Sequence, residues 1–120
     1  LFSGYDKIMD VPFLSGCFMF LRTEALKKVG LFDERFFLYT EDTDLSRRIH
    51  KYYRTVYYPE ASIFHHYQRG SYRDPWLFWC SIKSAFSYFN KWGWAMDEER
   101  DDFNKRALER LSYCNPTKSL

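Results

Sequence analysis

Cysteine is scarce and badly placed for bridging: Cys17, Cys80 and Cys114 are odd in number, widely spaced and without a Cys-x-x-Cys pair. That pattern supplies neither a disulfide framework nor a zinc site, and it fits a reducing, cytosolic compartment. Charge of one sign is also missing in bulk. The 18 basic and 16 acidic residues are mixed along the chain, leaving a net charge of +2 and no basic block to neutralise a phosphate backbone, which argues against nucleic acid as a partner. No apolar run reaches membrane-spanning length. No segment has the basic start, apolar middle and small-residue cleavage site of a signal peptide, and there is no internal repeat or low-complexity tract.

What the sequence has in excess is aromatic rings, 22% of its 120 residues, which implies broad amphipathic surfaces or a site that stacks against rings, sugars included. The length suits one domain with one core. The chain opens without methionine and soon enters residues 11–21, a nearly continuous apolar run of the kind found in a strand covered on both faces. It therefore reads as an excised piece. Gly16 in the middle of that run predicts a bulge or a close approach of backbone to ligand.

Thr23 can cap a short helix over residues 24–29, with Gly30 placed to end it. Residues 31–39 form an irregular aromatic loop. Thr40, Glu41 and Asp42 then open a helix with Leu45, Ile49 and Tyr52 or Tyr53 on one face. Residues 55–58 and 61–66 read as two short strands broken by Pro59 and Glu60, with residues 68–71 as a polar turn. Asp74 as cap and Pro75 at the first helical position start a long helix to about Trp92, ended by Gly93, with Trp76, Trp79, Ile82, Phe86 and Phe89 on one side. A last helix runs from Asp97 to about Tyr113, with Phe103, Ala107 and Leu111 as its apolar stripe.

Glu41, Asp42 and Asp44 form an acidic cluster at a helix start beside an aromatic loop. Such a site suits a general base, although acids in this place more commonly cap the helix or decorate its first turn. Asp42-Thr43-Asp44 also matches the Asp-x-Asp pattern of metal-holding nucleotide-sugar enzymes. Two acids two apart on a helix point about 200° away from each other, so the match is read as a decoy. His65 and His66 end an apolar strand and face opposite sides of it; either is a weak candidate metal ligand beside the blander reading of a rim histidine. Arg47, Arg48, Arg69 and Arg73 could grip phosphate, though such arginines are more often solvated. The 74–92 helix suits packing, a lipid surface or a second subunit.

Taken in order, residues 13–22, 29–37, 41–48 and 58–66, with Ser71 after them, resemble the acceptor half of family 2 glycosyltransferases, the rhamnosyltransferase-like members most. Lys91-Trp92-Gly93-Trp94 with Arg100 and Asn104 resembles that group's helical tail. The resemblance implies an α/β fold, the carboxyl-terminal part of a GT-A nucleotide-diphospho-sugar transferase, with a mixed sheet, flanking helices and a helical tail. Residues 1–73 would be the acceptor-side half and 74–120 the helical extension. It implies an inverting transfer of a sugar, with rhamnose favoured, from a nucleoside-diphosphate sugar to a saccharide or lipid-linked acceptor in bacterial cell-surface polysaccharide synthesis.

In that scheme Asp42 is the base that takes the acceptor proton, Glu41 orients the acceptor with Asp44 close by, and Gly16 lets a sugar pass near the backbone. His65, ahead of His66, completes the shell of a divalent metal, Mg or Mn, held mostly by the amino-terminal half. The location would be cytoplasmic, at the inner face of the membrane, with the 74–92 helix against the membrane or a second copy. The chain alone would be inactive. The competing reading is a non-catalytic carbohydrate- or membrane-interaction module.

Overall fold

A computed structural model of the chain describes residues 6–66 and 70–113, with side chains through Glu109. Arg69 and Cys114 lie outside the described residues. The elements in order are strand β1 (Met9–Asp10), helices α1 (Thr23–Val29) and α2 (Glu41–His50), strand β2 (Val56–Tyr57), a 3-10 turn (Gly70–Tyr72), and helices α3 (Pro75–Trp92) and α4 (Glu98–Tyr113).

The helices follow the end signals in the sequence. Gly30 and Gly93 close α1 and α3 with positive φ (86° and 107°), each donating its N–H one turn back, to Leu26 and Phe89, a backbone state that costs glycine little. Asp74 caps α3 through the amides of Trp76 and Leu77, with Pro75 in the first turn. Asp97 stands at the head of α4 and accepts from the Arg100 amide at 3.0 Å. Thr23, expected as a cap, is instead the first residue of α1, whose flanking residue Arg22 makes no side-chain cap bond.

The expected mixed sheet is not formed among the described residues. β1 and β2 pair antiparallel, Met9 with Tyr57 and Asp10 with Val56, and Val11 extends the ladder by donating to the Thr55 carbonyl at 2.9 Å. Among the described residues, the segments 12–22 and 58–66 are not part of a strand. The reason is elementary: a helix satisfies its own backbone, whereas a strand needs a neighbour, however strongly its sequence favours extension.

Between the bend at Pro12 and the turn at Gly16 and Cys17, the chain lies along α2. Gly16 donates its N–H to Asp42 Oδ2 at 2.7 Å, and Leu14 exchanges bonds with the Ser46 hydroxyl at 3.3 and 3.4 Å. The match is geometric. Asp42 and Ser46 are one helical turn apart, about 6 Å along the axis, and two residues of extended chain span about 6.6 Å.

The apolar core is small and centred on α2: Leu45 and Ile49 are buried with Ala25 and Phe36. Much of the interior is polar, since Asp44, Ser46, Arg47, Thr55, Ser84 and Asp97 are buried as well. On α3 the docked stripe runs through Ser84 and the half-buried Leu77, Tyr88, Lys91 and Trp92, while Trp76, Trp79 and Phe86 are exposed. The aromatic side of α3 is therefore only partly its packing side. Ser84 explains this, because a small side chain lets the loop before α2 approach closely enough for the Thr40 hydroxyl to reach the Ser84 carbonyl at 3.3 Å.

Candidate active site at the head of helix α2

The two residues before α2 are strained. Tyr39 and Thr40 have φ of 67° and 64°, the left-handed region that β-branched threonine in particular avoids. Each such residue costs about 1–3 kcal/mol and persists only where its surroundings hold it. Here the Thr40 hydroxyl is tied to Ser84, and its carbonyl accepts the first helical bond, from the Asp44 amide at 2.9 Å. The kink delivers Glu41 and Asp42 to the open end of α2.

Asp42 is firmly placed. Its Oδ2 accepts from Gly16, and its Oδ1 accepts from the Thr43 amide at 2.7 Å and the Thr43 hydroxyl at 3.3 Å. The close approach expected at Gly16 is thus to Asp42: a Cβ there would stand 3.1 Å from the Asp42 Cβ and 3.2 Å from Oδ2. Oδ2 carries one bond and keeps a free lone pair. Glu41 is half-buried, and its Oε2 is withdrawn from solvent with no hydrogen-bond partner. An orphaned buried acceptor of this kind costs about 1–3 kcal/mol.

Asp44 points the other way, as the helical spacing predicts. It is fully buried and takes three donors: Arg48 Nε at 2.8 Å, Trp92 Nε1 at 2.8 Å and Lys91 Nζ at 2.6 Å. With both oxygens so engaged, Asp44, expected beside the acceptor, ties α2 to the end of α3. Arg48 continues the tie by donating to the carbonyls of Val29, Gly30 and Leu31. Lys91 also reaches Asp33 at 2.8 Å. Asp33 in turn holds Arg35 through paired bonds of 2.6 to 3.2 Å. The Arg35 fork, against the upward push of burial and with Lys91 in support, holds the Asp33 carboxyl well below the usual carboxylate range.

Arg47 and Arg48 are therefore structural cations, not phosphate binders. Arg47 is buried over the Trp92 ring, 4.2 Å from its centroid, and forks onto Asp97 at 2.6 and 2.5 Å with Glu99 at 2.8 Å. Arg73 is exposed. Sequence reasoning missed this network. Its one visible signal was a set of charges, Asp44, Arg47, Arg48 and Lys91, at positions where a helix packs.

His65 and His66 are exposed in an irregular segment, not at the end of a strand. Among the described residues no three His, Cys, Asp or Glu side chains gather as a metal site, and Asp42 and Asp44 diverge. This donor set does not fit a divalent cation by itself. Nor is any helix of the described residues long and apolar enough to cross a membrane.

Beside the head of α2, the loop carrying Arg35 and Phe37 and the outer face of α3 enclose a groove of about 690 Å³ floored by Ser84. Phe37 and Trp76 meet edge to face across it, 5.8 Å between centroids.

Residues 3–114 match the glycosyl transferase family group 2. The chain belongs to that family. The order of motifs that resembled family 2 is thereby borne out. The chain is similar to the N-acetylglucosaminyl-diphospho-decaprenol L-rhamnosyltransferase of Mycobacterium tuberculosis, in strains CDC 1551 / Oshkosh and ATCC 25618 / H37Rv. Identity to each is 44% over 66 residues, covering 54% of this chain and 22% of the relative, so the match spans about a fifth of the relatives' length. No solved structure matches. Within this glycosyl transferase family member, the head of α2 is where a backbone-held carboxylate and an orphaned carboxylate oxygen come together.

Proposed function

We propose that this chain carries the acceptor side of an inverting glycosyltransferase site, with Asp42 as the general base. The observation that carries the reading is the pairing at the head of α2: Asp42 is fixed by Gly16 and Thr43 with a lone pair of Oδ2 free, and Glu41 Oε2 next to it has no partner. A sugar hydroxyl supplies the proton donor that Asp42 lacks, while Glu41 meets the acceptor through its carboxylate edge other than the shielded Oε2. One acceptor hydroxyl donates to Glu41 and is oriented by it. The reacting hydroxyl gives its proton to Asp42 as its oxygen attacks the anomeric carbon of a nucleoside-diphosphate sugar, the bond from that carbon to the diphosphate oxygen breaks, and the nucleoside diphosphate leaves. Gly16 keeps this edge free of a side chain.

The donor sugar in this reading is rhamnose and the acceptor a saccharide on a lipid diphosphate, both by similarity to the mycobacterial rhamnosyltransferase. Such an acceptor places the protein in the cytoplasm at the inner membrane face. In the full-length protein residues 11–21 and 61–66 join the mixed sheet of a GT-A fold. His65 offers one imidazole to a divalent cation whose remaining ligands come from elsewhere, and no step here runs through it.

The test is Asp42→Asn in the full-length protein. Transfer from a nucleoside-diphosphate sugar to a lipid-linked acceptor should fall by about 10² to 10⁴, the usual worth of a positioned base, while nucleotide binding measured by calorimetry is unchanged. Turnover within a few fold of the parent overturns the assignment. A non-catalytic binding module leaves the backbone strain at Tyr39 and Thr40 without a use.

A further inference from the structure

The groove between the Asp33–Phe37 loop and α3 is a feature of the described surface that the base and its neighbours leave unexplained. Its volume is in the range of small-molecule sites, which are lined mostly by apolar and aromatic groups with a few directed polar ones. Phe37, Trp76 and Trp79 are 75%, 59% and 67% exposed, a large amount of ring to leave in water. Around these rings stand hydrogen-bonding groups of both kinds: Arg35 and Lys83 donate, Glu34 accepts and Ser87 does either. A plain lipid surface needs no acceptor at this rim, and a phosphate, which only accepts, would leave Glu34 unused. A neutral ring with an apolar face and hydroxyls at its edge uses all of them.

The walls are built firmly. Phe36, buried between the loop and α3, lies beside Tyr88, and Asp33 is clamped by Lys91. The floor joins the reacting edge, because Ser84 accepts from Thr40, two residues before Asp42.

We propose that this groove is a saccharide subsite that seats a sugar ring of the acceptor on Trp79 and Trp76, with Lys83 and Glu34 reading its hydroxyls. The inference rests on the transferase reading above for the identity of the acceptor, but not for the site itself. Trp76 is braced by Phe37, and Trp79 offers the freer face.

Two measurements on the full-length protein test it. The first is tryptophan fluorescence during titration with N-acetylglucosamine, compared with titration by phosphatidylglycerol vesicles. A saturable change with the sugar is expected, lost in Trp79→Ala and retained in Trp79→Phe. Response to vesicles alone, or to neither probe, overturns the proposal. The second is steady-state kinetics. Trp79→Ala should raise the acceptor KM roughly two- to tenfold, as loss of one aromatic contact predicts, with the donor KM unchanged; equal effects on both substrates, or on neither, overturn it. Asp42→Asn protein separates the two readings, since it should bind N-acetylglucosamine normally while failing to transfer. Sugar binding lost in Trp79→Ala alongside full turnover in Asp42→Asn would remove the base and leave the subsite standing.

Discussion

Two regions of this molecule are held in opposite ways. Around α2, the side chains of Asp44, Arg47, Arg48, Lys91, Trp92, Asp97 and Glu99 are joined by directed polar bonds, most of them between elements. Along residues 17–22 and 58–66, by contrast, the backbone has no ladder and the rings of Phe20 and Phe64 are 95% and 103% exposed. A groove of about 580 Å³ lies beneath the first of these segments, bordered by Leu14, Met19, Leu21 and Ile49. The difference teaches where specificity comes from when only four apolar side chains are buried among the described residues. A burial so small cannot fix the head of α2 by area alone. Charge pairs with fixed geometry do it, and their hub, Asp44, lies within one turn of Glu41 and Asp42.

Removing the hub is the strongest way to break that contrast. Asp44→Ala leaves Arg48, Lys91 and Trp92 without their shared acceptor in a buried site. Breaking such a group from one side costs about 3–5 kcal/mol. Urea unfolding of the full-length protein, followed by tryptophan fluorescence, should show a loss of that size. A loss under about 1 kcal/mol would mean that the tight region is held by something other than its ion network.

The Arg47 to Asp97 pair gives the next effect. The Arg47 fork, outweighing burial and aided by the Arg100 amide, lowers the Asp97 carboxyl below its ordinary value. Glu99 is also lowered, because bonds from Lys51 and Arg47 overcome the upward push of burial. A carboxyl that binds its proton less readily folded than unfolded contributes stability that is complete above the unfolded value near pH 4 and is lost as the pH falls through the folded one. Acid titration should therefore loosen α4 from α2 below about pH 4. Asp97→Asn should cost about 2 kcal/mol at pH 7 and flatten the acid limb, read by near-ultraviolet circular dichroism from Trp92. An unchanged acid limb would move the pairing energy elsewhere.

The same contrast explains what could be read in advance. Helix ends were legible because their signals are local: Gly30, Asp74 with Pro75, Gly93 and Asp97 act within a turn of themselves. The divergence of Asp42 from Asp44 followed from helical periodicity alone. Strands at 11–21 and 61–66 were not decidable in that way, since apolar alternation says that a segment is extended but not that a neighbour pairs with it. Neither reading offered for Arg47 and Arg48, a phosphate grip or plain solvation, anticipated their buried pairing, for a related reason. An arginine next to an arginine gives no hint of the aspartates 50 residues on and 4 residues back that neutralise them. Nor does any local rule anticipate positive φ at Tyr39 and Thr40, a conformation imposed by the bond to Ser84 44 residues away.

The smallest effect is expected where the chain is loosest. Phe64 touches so little of this molecule that Phe64→Ser should change its stability by no more than about 0.5 kcal/mol, the ordinary range for a surface site. Burial of a phenylalanine is worth about 1.5–3 kcal/mol, so denaturant midpoints separate the two cases cleanly. If the substitution in the full-length protein costs the larger amount while Phe20→Ser costs little, the 58–66 segment is the one covered by a neighbour. If both cost the larger amount, both segments are packed, and the loose side of the comparison belongs to this stretch of chain and not to the assembled site.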